Sequence, residues 1–376
     1  MTTAIVILNW NGKHFLEKFL PKLIENSSIP GVEIIVADNG STDGSQGWMK
    51  SDHPSIRLIE LDENTGYTGG YNRALKLIEA DYFLLLNSDI EVSPDWLPPL
   101  IETMNSNPEI GICMPKIRSF HNKEYFEYAG ACGGFIDKFG YPFCRGRILS
   151  YIEKDSGQYD RPREIFWASG AAFMIRSSIF RQLGGLDDSF FAHMEEIDLC
   201  WRAKRHGWKV WVVPQSTVYH VGGGTLPNDS PRKLHLNYRN NLLMLYKNLP
   251  GRNLYTILFC RLTLDGVSAA IYLLQGKPTL FKAVWRAHRD FFKMRKGVTR
   301  KYIITAEKES SANPESINPN KIDPAERTLT PSEAYRKMSG RYNGSIVLSF
   351  FISGMKKKFG ALSGLQPESQ SGFESE

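Results

Sequence analysis

The sequence predicts an α/β fold: a mostly parallel central sheet flanked by helices, followed by a helical extension. Three observations lead there. Its 376 residues are 42% hydrophobic and 23% charged, globular proportions that exclude disorder, collagen or a coiled coil as whole-chain descriptions. In the first hundred residues, short apolar runs at 4–8, 33–37, 56–61 and 82–86 alternate with helically spaced ones at 15–25, 45–50 and 71–78. That alternation is the pattern of βαβ units, which build parallel sheets. Finally, three of the strand ends are polar, and ligands of open α/β sheets bind beyond those ends.

The ends read Asn9-Trp10-Asn11-Gly12, Asp38-Asn39-Gly40-Ser41-Thr42-Asp43-Gly44 and Asn87-Ser88-Asp89. One polar strand end is an ordinary turn. Three from one sheet, each with Asp or Asn, mark a binding face. The Asp38 carboxylate can accept hydrogen bonds from a ribose or a base edge, and the glycines after it let the backbone approach a ligand closely. The stretch from Asn64 to Ala74, with Gly66, Gly69 and Gly70, is a glycine-rich loop opening a helix. Its amides favour phosphate, and Arg73 adds a charge-assisted contact. No Gly-Lys-Ser/Thr follows, so it is not a Walker loop. Asp89 suits a hard divalent cation shared with a diphosphate. His220, after another apolar run, offers a nitrogen ligand, a structural histidine being the alternative.

Residues 117–164 lose periodicity and read as a loop-rich insertion. Regular structure returns at 166–176, in a helix at 195–205 and in a strand at 209–213. The helix opens with Glu195, Glu196 and Asp198 and closes with bases, which complements a helix dipole. The same acids offer a general base for an acceptor hydroxyl, and the pattern leaves both readings open.

Beyond about residue 230 the composition turns to helices rich in Leu, Tyr, Lys and Arg. Residues 254–274 have the length of a membrane span, but Arg261 and Asp265 fall mid-segment, each costing roughly 2.5–3.5 kcal/mol at a bilayer centre. With Ser268 and Tyr272 they form one helical stripe, which predicts an amphipathic helix on a membrane surface or in a protein core. Residues 277–301 hold nine Lys or Arg and one acid, Asp290, with Trp285, Phe291 and Phe292 interleaved. Anionic lipid headgroups are the partner this suits, a solvated face being the alternative; nucleic acid has no support elsewhere. Residues 304–340 read as a polar linker. The apolar run 346–352 followed by Lys356-Lys357-Lys358 suits an interfacial contact, and the last ten residues read as disordered. The expected organisation is therefore a sheet domain over 1–250, a basic amphipathic helical region over 251–303, the linker, and an interfacial segment with tail over 341–376. No internal repeat is present. Net charge is +6. Five cysteines, at 113, 132, 144, 200 and 260, without a Cys-x-x-Cys pair, point to a reducing compartment. The first residues lack a basic n-region, and the active part is expected in the cytoplasm.

Taken in order, the motifs around Asp38, Asn64-Thr65-Gly66 with Asn72-Arg73-Ala74, Asn87-Ser88-Asp89, Glu195-Glu196-Ile197-Asp198-Leu199-Cys200-Trp201-Arg202 and His220 resemble the family 2 glycosyltransferases. These are inverting enzymes of the GT-A fold, and the pattern is most similar to their rhamnosyltransferase-like branch, which builds surface polysaccharides. The resemblance spans roughly residues 3–250. It implies that Asn9, Asn11, Asp38, Asn64, Gly66, Asn72, Arg73 and Ser88 bind the nucleotide. It implies Asp89 and His220 as ligands of Mg²⁺ or Mn²⁺, and Glu196 as the catalytic base, with Glu195 beside it and Asp198 in reserve. Trp167, Ser169 and Gly170 would line the sugar or acceptor pocket, core packing being the alternative for Trp167. Two departures stand out. Asn87 occupies the first position of the usual Asp-x-Asp, a variant that the rhamnosyltransferase-like branch carries. Glu196 replaces the usual Asp, reaching one methylene further toward the acceptor.

The function so implied is transfer of a sugar from dTDP-rhamnose or a UDP-sugar to a hydroxyl of a growing polysaccharide or polyprenyl-diphosphate-linked oligosaccharide. The enzyme would act at the inner face of the cell membrane as a peripheral protein of cell-envelope synthesis, with its oligomeric state open. A sugar nucleotidyltransferase would open with a Gly- and Arg-rich loop ending in Lys, where this chain has Asn9-Trp10-Asn11-Gly12. A non-catalytic carbohydrate- or partner-binding module finds support in Asn87 alone and opposition in Glu196, Asp89 and His220.

Overall fold

The computed structural model describes residues 1–222, 230–298 and 331–365. The chain divides into two compact units, one made of residues 1–230 with 339–376 and the other of 231–338. The sheet unit therefore ends some twenty residues before the expected boundary at 250, and it recovers the C-terminal segment.

The strands β1 (Thr3–Asn9), β2 (Val32–Asn39), β3 (Arg57–Leu61) and β4 (Tyr82–Asn87) lie in the order β3-β2-β1-β4, all parallel. Between them run α1 (Lys13–Asn26), α2 (Ser45–Asp52) and α3 (Gly66–Leu75). Strand β1 is buried at Ala4, Ile5, Val6 and Ile7, as expected of a strand covered on both faces. Asn9 pairs with Asp38 and Leu8 with Asn87, so the three polar ends finish level. The third helix starts five residues before the expected 71–78 and ends at Leu75. Glycine is a poor helix former, which hid its first turn. Those glycines instead let the helix approach the sheet: a Cβ on Gly70 would fall 2.7 Å from Leu8.

The sheet continues through β12 (Ala172–Arg176), antiparallel to both β4 and β6 (Ile110–Ser119), to β13 (Lys209–His220). The short β11 (Arg163–Glu164) closes that edge. Expected over 209–213, β13 resumes after a shift in pairing between Val213 and Thr217 and runs on to His220. Its second half pairs antiparallel with β5 (Ile90–Val92), which follows directly on Asp89. Helices α4 (Pro98–Ser106), α5 (Ser177–Gln182) and α6 (Glu195–Arg205) complete this layer.

Residues 117–164, expected as loop, contain most of a second sheet. Its order is β10 (Tyr151–Ile152), β9 (Arg147–Ile148), β8 (Pro142–Cys144), β7 (Gly134–Asp137) and β14 (Arg341–Tyr342). Strands of two to four residues carry no readable period. The last strand, parallel to β7, comes from the far end of the chain. There α11 (Ile346–Ile352) is held by Asp137, whose Oδ2 accepts the Ile346 N–H at 2.9 Å. The Phe359 N–H donates to Glu153 Oε1 at 2.9 Å, and its ring lies 4.7 Å from Phe135. Residues 341–365 are thus part of the sheet unit, whereas the interfacial segment and tail were expected to stand apart. Most of the expected linker and the expected disordered tail lie outside the described residues, and 331–337 form a short helix, α10 (Pro331–Lys337).

The second unit packs α7 (Pro231–Asn248), α8 (Gly251–Leu274) and α9 (Pro278–Met294) together. Ala283, Val284, Ala287 and Phe291 form the buried stripe of α9. The expected polar stripe of α8 exists but faces the other way. Arg261 and Asp265 are 3% and 1% exposed, 3.6 Å apart, with His288 of α9 3.5 Å from Asp265. Phe259 and Leu274 are 71% and 87% exposed.

Candidate active site

At the level strand ends, Asp38 is buried and fully engaged. It accepts from Asn9 Nδ2 at 2.9 Å, the Ser41 N–H at 2.9 Å and Gln46 Nε2 at 2.7 Å. The opposite amide oxygen of Asn9 is buried without a donor, and a Cβ on Gly12 would sit 2.6 Å from it and 3.3 Å from Ser88 Oγ. Asn9, Gly12 and Ser88 thus converge on one point. Asn11, in a left-handed conformation with φ of 51°, accepts the Thr42 N–H at 2.8 Å and so holds the second strand end to the first.

The glycine-rich loop is set by Asn39, which donates to the Gly66 carbonyl at 3.0 Å and to Asn64 Oδ1 at 3.2 Å. Asn64 in turn accepts the Gly66 N–H at 2.8 Å. Gly66 has φ of 77° and faces Phe191, whose carbonyl would lie 2.6 Å from an added Cβ. That carbonyl accepts the Tyr67 N–H at 2.8 Å, which pins the segment before α6 onto the start of α3. Asn72 does not face the strand ends. It donates to Leu186 O at 2.8 Å and Asp188 Oδ1 at 2.7 Å, fastening the same segment. Arg73 is exposed, 3.4 Å from Glu63.

Asp89 and His220 are 131 positions apart in sequence, yet β5 carries them together: His220 pairs with Ile90, the next residue after Asp89. His220 Nε2 lies 3.2 Å from Asp89 Oδ1, and Nδ1 lies 3.5 Å from Glu127 Oε2. All three are buried. Burial disfavours the charged imidazole, but the Asp89 and Glu127 carboxylates outweigh it and push His220 up to about 10. Burial alone would raise the Asp89 carboxyl, and His220 instead holds it below the usual carboxylate range.

Glu195 and Glu196 open α6, after Phe191, His193 and Met194 with positive φ of 67°, 70° and 74°. Each keeps one buried carboxylate oxygen with no hydrogen-bond partner. Burial pushes Glu196 up to about 7, and burial together with the neighbouring Glu196 pushes Glu195 well above the usual range. A carboxylate titrating near neutrality in a pocket is suited to general-base work. Asp198 has a different role. It is buried 2.8 Å from Arg202 Nε, and that guanidinium also donates to Leu183 O and Gly185 O.

Gly170 joins the two halves of the site. Its carbonyl accepts the Tyr67 hydroxyl at 2.6 Å, and a Cβ there would meet Glu196 Cβ at 3.8 Å. The next carbonyl, of Ala171, accepts the Asn87 N–H at 2.9 Å. Glu196 and the Asn87-Ser88-Asp89 turn therefore flank one short segment at one end of the sheet. Ser169 is buried, with its hydroxyl bonded to Ala129 O. Trp167 packs as core: its ring is buried over Gly134, and Nε1 donates to Phe135 O at 2.9 Å.

Residues 4–184 match the family model described as Glycosyl transferase family 2. Residues 4–184 are a family 2 glycosyltransferase domain. The chain is 25% identical over 255 residues, 64% of this chain and 83% of the relative, to an N-acetylglucosaminyl-diphospho-decaprenol L-rhamnosyltransferase of Mycobacterium tuberculosis. It is 25% identical, over 64% of this chain and 74% of the relative, to the low-salt glycan biosynthesis hexosyltransferase Agl10 of Haloferax volcanii. Two solved structures share the fold. TarS residues 1–349 of S. aureus gives a TM-score of 0.51 at 12% identity, covering 76% of this chain and 81% of that one. The mannosyltransferase PcManGT of Pyrobaculum calidifontis, in complex with GDP-Man and Mn²⁺, gives 0.50 at 13% identity, covering 77% and 86%.

In this glycosyltransferase the donor set fits a divalent cation. Asp89 and His220 present one oxygen and one nitrogen donor, and the field that draws a proton onto His220 is the field a cation would take. Among the described residues no group of three or more His, Cys, Asp or Glu forms a closed metal cage. An open two-donor site suits an ion that shares its coordination with substrate phosphates. Glu127, Tyr67 and Asn39 were not singled out from the sequence. Asn39 adjoins Asp38 and Tyr67 lies in the glycine-rich loop, so both had local signals. Glu127 had none, since it lies in the aperiodic insertion.

Proposed function

We propose that this glycosyltransferase moves a hexosyl group from a nucleotide-diphosphate sugar, dTDP-rhamnose or a UDP-sugar, to a hydroxyl of a polyprenyl-diphosphate-linked oligosaccharide or growing polysaccharide, with inversion. The observation that carries this reading is the convergence on Gly170 and Ala171 of a near-neutral, half-buried carboxylate, Glu196, and the turn that holds Asp89 against His220. The decaprenol-linked substrate in the mycobacterial relative's name supports the acceptor class.

In this reading Asn9, Asn11, Ser88 and the amides around Asn64 and Gly66 bind the nucleotide, with Asp38, Asn72 and Arg73 shaping the loops around it. Asp89 and His220 would hold Mg²⁺ or Mn²⁺, which when bound neutralises charge on the departing diphosphate. Glu196 takes the acceptor hydroxyl proton as the acceptor oxygen forms its bond to the anomeric carbon. The bond from that carbon to the diphosphate oxygen breaks, and its electron pair leaves with the nucleoside diphosphate. Glu195, pushed well above the usual range by burial and by the Glu196 charge, stays protonated beside the base. Ser169 and Gly170 form the wall facing the sugar. The basic helical unit holds the enzyme at the cytoplasmic face of the membrane, where anionic headgroups attract it.

The deciding experiment is thermal stabilisation by a panel of nucleoside diphosphates, with and without Mn²⁺, on the wild type and Asp89→Ala. A ligand at a hundred times its Kd stabilises by about 2.7 kcal/mol. A metal-dependent shift with UDP or dTDP that Asp89→Ala abolishes supports the donor site. A protein that no nucleotide stabilises is not this transferase and is better described as a binding module.

A further inference from the structure

The helical unit is inverted in polarity. Between Asn253 and Leu274 the charged side chains are Arg261 and Asp265 alone; both are buried, 3.6 Å from each other, and Asp265 faces His288. The outward face of the same helix presents Tyr255, Phe259, Val267, Ile271 and Leu274. In water this arrangement is unfavourable twice over. Burying a charge pair carries a desolvation cost, and apolar surface left wet forgoes about 25 cal/mol per Å². In hydrocarbon both terms change sign, because polar groups must then turn inward and apolar ones outward.

We propose that α8 is immersed in the acyl layer of a bilayer, with Arg261, Asp265 and His288 sealed inside the helical unit. The inference rests on the membrane reading above and deepens it from surface attachment to insertion. The 22-residue apolar stretch spans about 33 Å at 1.5 Å per residue, comparable with the hydrocarbon core of about 30 Å. The neighbouring α9 exposes Lys282, Arg286, Arg289 and Lys293 with Trp285, the basic and aromatic combination that anionic headgroups and the interface favour. A second copy of the chain is a poorer occupant. A protein interface carries a polar rim, and no charged side chain of α8 is exposed among those described in this stretch.

The test uses the full chain with Cys260→Ser. The other four cysteines are buried. A bimane label is placed at Phe259→Cys, Val267→Cys or, as a headgroup-level control, Lys296→Cys. Phosphatidylcholine vesicles with one-third phosphatidylglycerol carry a nitroxide deep in the acyl chain. Immersion predicts strong quenching at 259 and 267 and little at 296, together with flotation that survives molar salt. It also predicts that Phe259→Lys with Val267→Lys, both at exposed sites, lowers vesicle partitioning by at least roughly a thousandfold without changing the fold seen by circular dichroism. Absent quenching at both positions overturns the proposal, whether the protein then binds by salt-sensitive headgroup contact or pairs with a second copy in light scattering. UDP or dTDP stabilisation is read on the same samples. Its loss with quenching intact rejects the transferase reading alone, and the converse rejects immersion alone.

Discussion

The Tyr67 hydroxyl donates to the Gly170 carbonyl oxygen across 103 residues of sequence, at 2.6 Å. The bond ties the start of α3, which follows the glycine-rich loop, to the wall against which Glu196 rests. Tyr67→Phe should cost about 1 kcal/mol of stability, readable in urea unfolding. Because the wall positions the base, kcat should fall more than KM rises. A change in KM alone would make Tyr67 a substrate contact instead.

Glu196→Gln should lower kcat by roughly 10²–10⁴-fold while leaving metal-dependent nucleotide stabilisation intact. Wild-type kcat/KM should climb with pH to a plateau above about 7, where the burial-raised carboxyl becomes a base. Glu195, pushed well above the usual range by burial and by Glu196, stays protonated through that midpoint, so Glu195→Gln should leave it in place. A flat profile would remove Glu196 from the proton-transfer step.

The same shift has a consequence for stability. The folded-state pKa of Glu196 is raised, so its contribution is fully present below the unfolded value and disappears as pH rises through about 7. Glu196→Gln should therefore gain in melting temperature over wild type as pH rises from about 4.5 to about 7, and hold a constant margin above that. Scanning calorimetry across that range checks the sign.

Glu127 faces the ring nitrogen of His220 that lies away from Asp89. Carboxylates in that position fix the tautomer of a ligating histidine, and their loss typically weakens metal binding 10–100-fold. Glu127→Gln should weaken Mn²⁺ binding by that order in a paramagnetic-resonance titration with UDP or dTDP present. Unchanged affinity would make Glu127 a packing residue.

Asp137 accepts backbone N–H groups from Phe139, Tyr141 and Ile346. Asp137→Ala should cost at least about 4 kcal/mol, since three hydrogen bonds to a charged group are lost and each contributes about 1.5–3 kcal/mol. Limited proteolysis should then cut first within 339–365.

The parallel core and the polar edge formed by its strand ends were legible because β1, β2 and β4 are apolar strands closing on Asn9, Asp38-Asn39 and Asn87, a pattern that is local. Helix α6 matched residue for residue, since its acids, bases and apolar spacing agree. What the sequence could not convey was partnership. Asp38 looks like an open ligand, and Asn9, Ser41 and Gln46 already donate three hydrogen bonds to it. Asn72 and Asp198 lie within site motifs but serve the framework. Trp167 covers Gly134 as a core residue. The polar stripe through Arg261 and Asp265 was correctly periodic, yet period alone does not tell which side faces the protein.

Because β14 and Phe359 return to the second sheet after the helices have been made, the chain leaves the sheet unit near residue 230 and re-enters it near 339. The helices are thus a cassette carried in the middle of the chain. Cutting the protein at residue 250 would strip a strand from β7 and uncover Phe135, whereas excising the cassette and splicing its two junctions would keep both. A fragment that keeps the whole sheet unit, and any exchange of the helical unit between related enzymes, calls for two cuts and a rejoining.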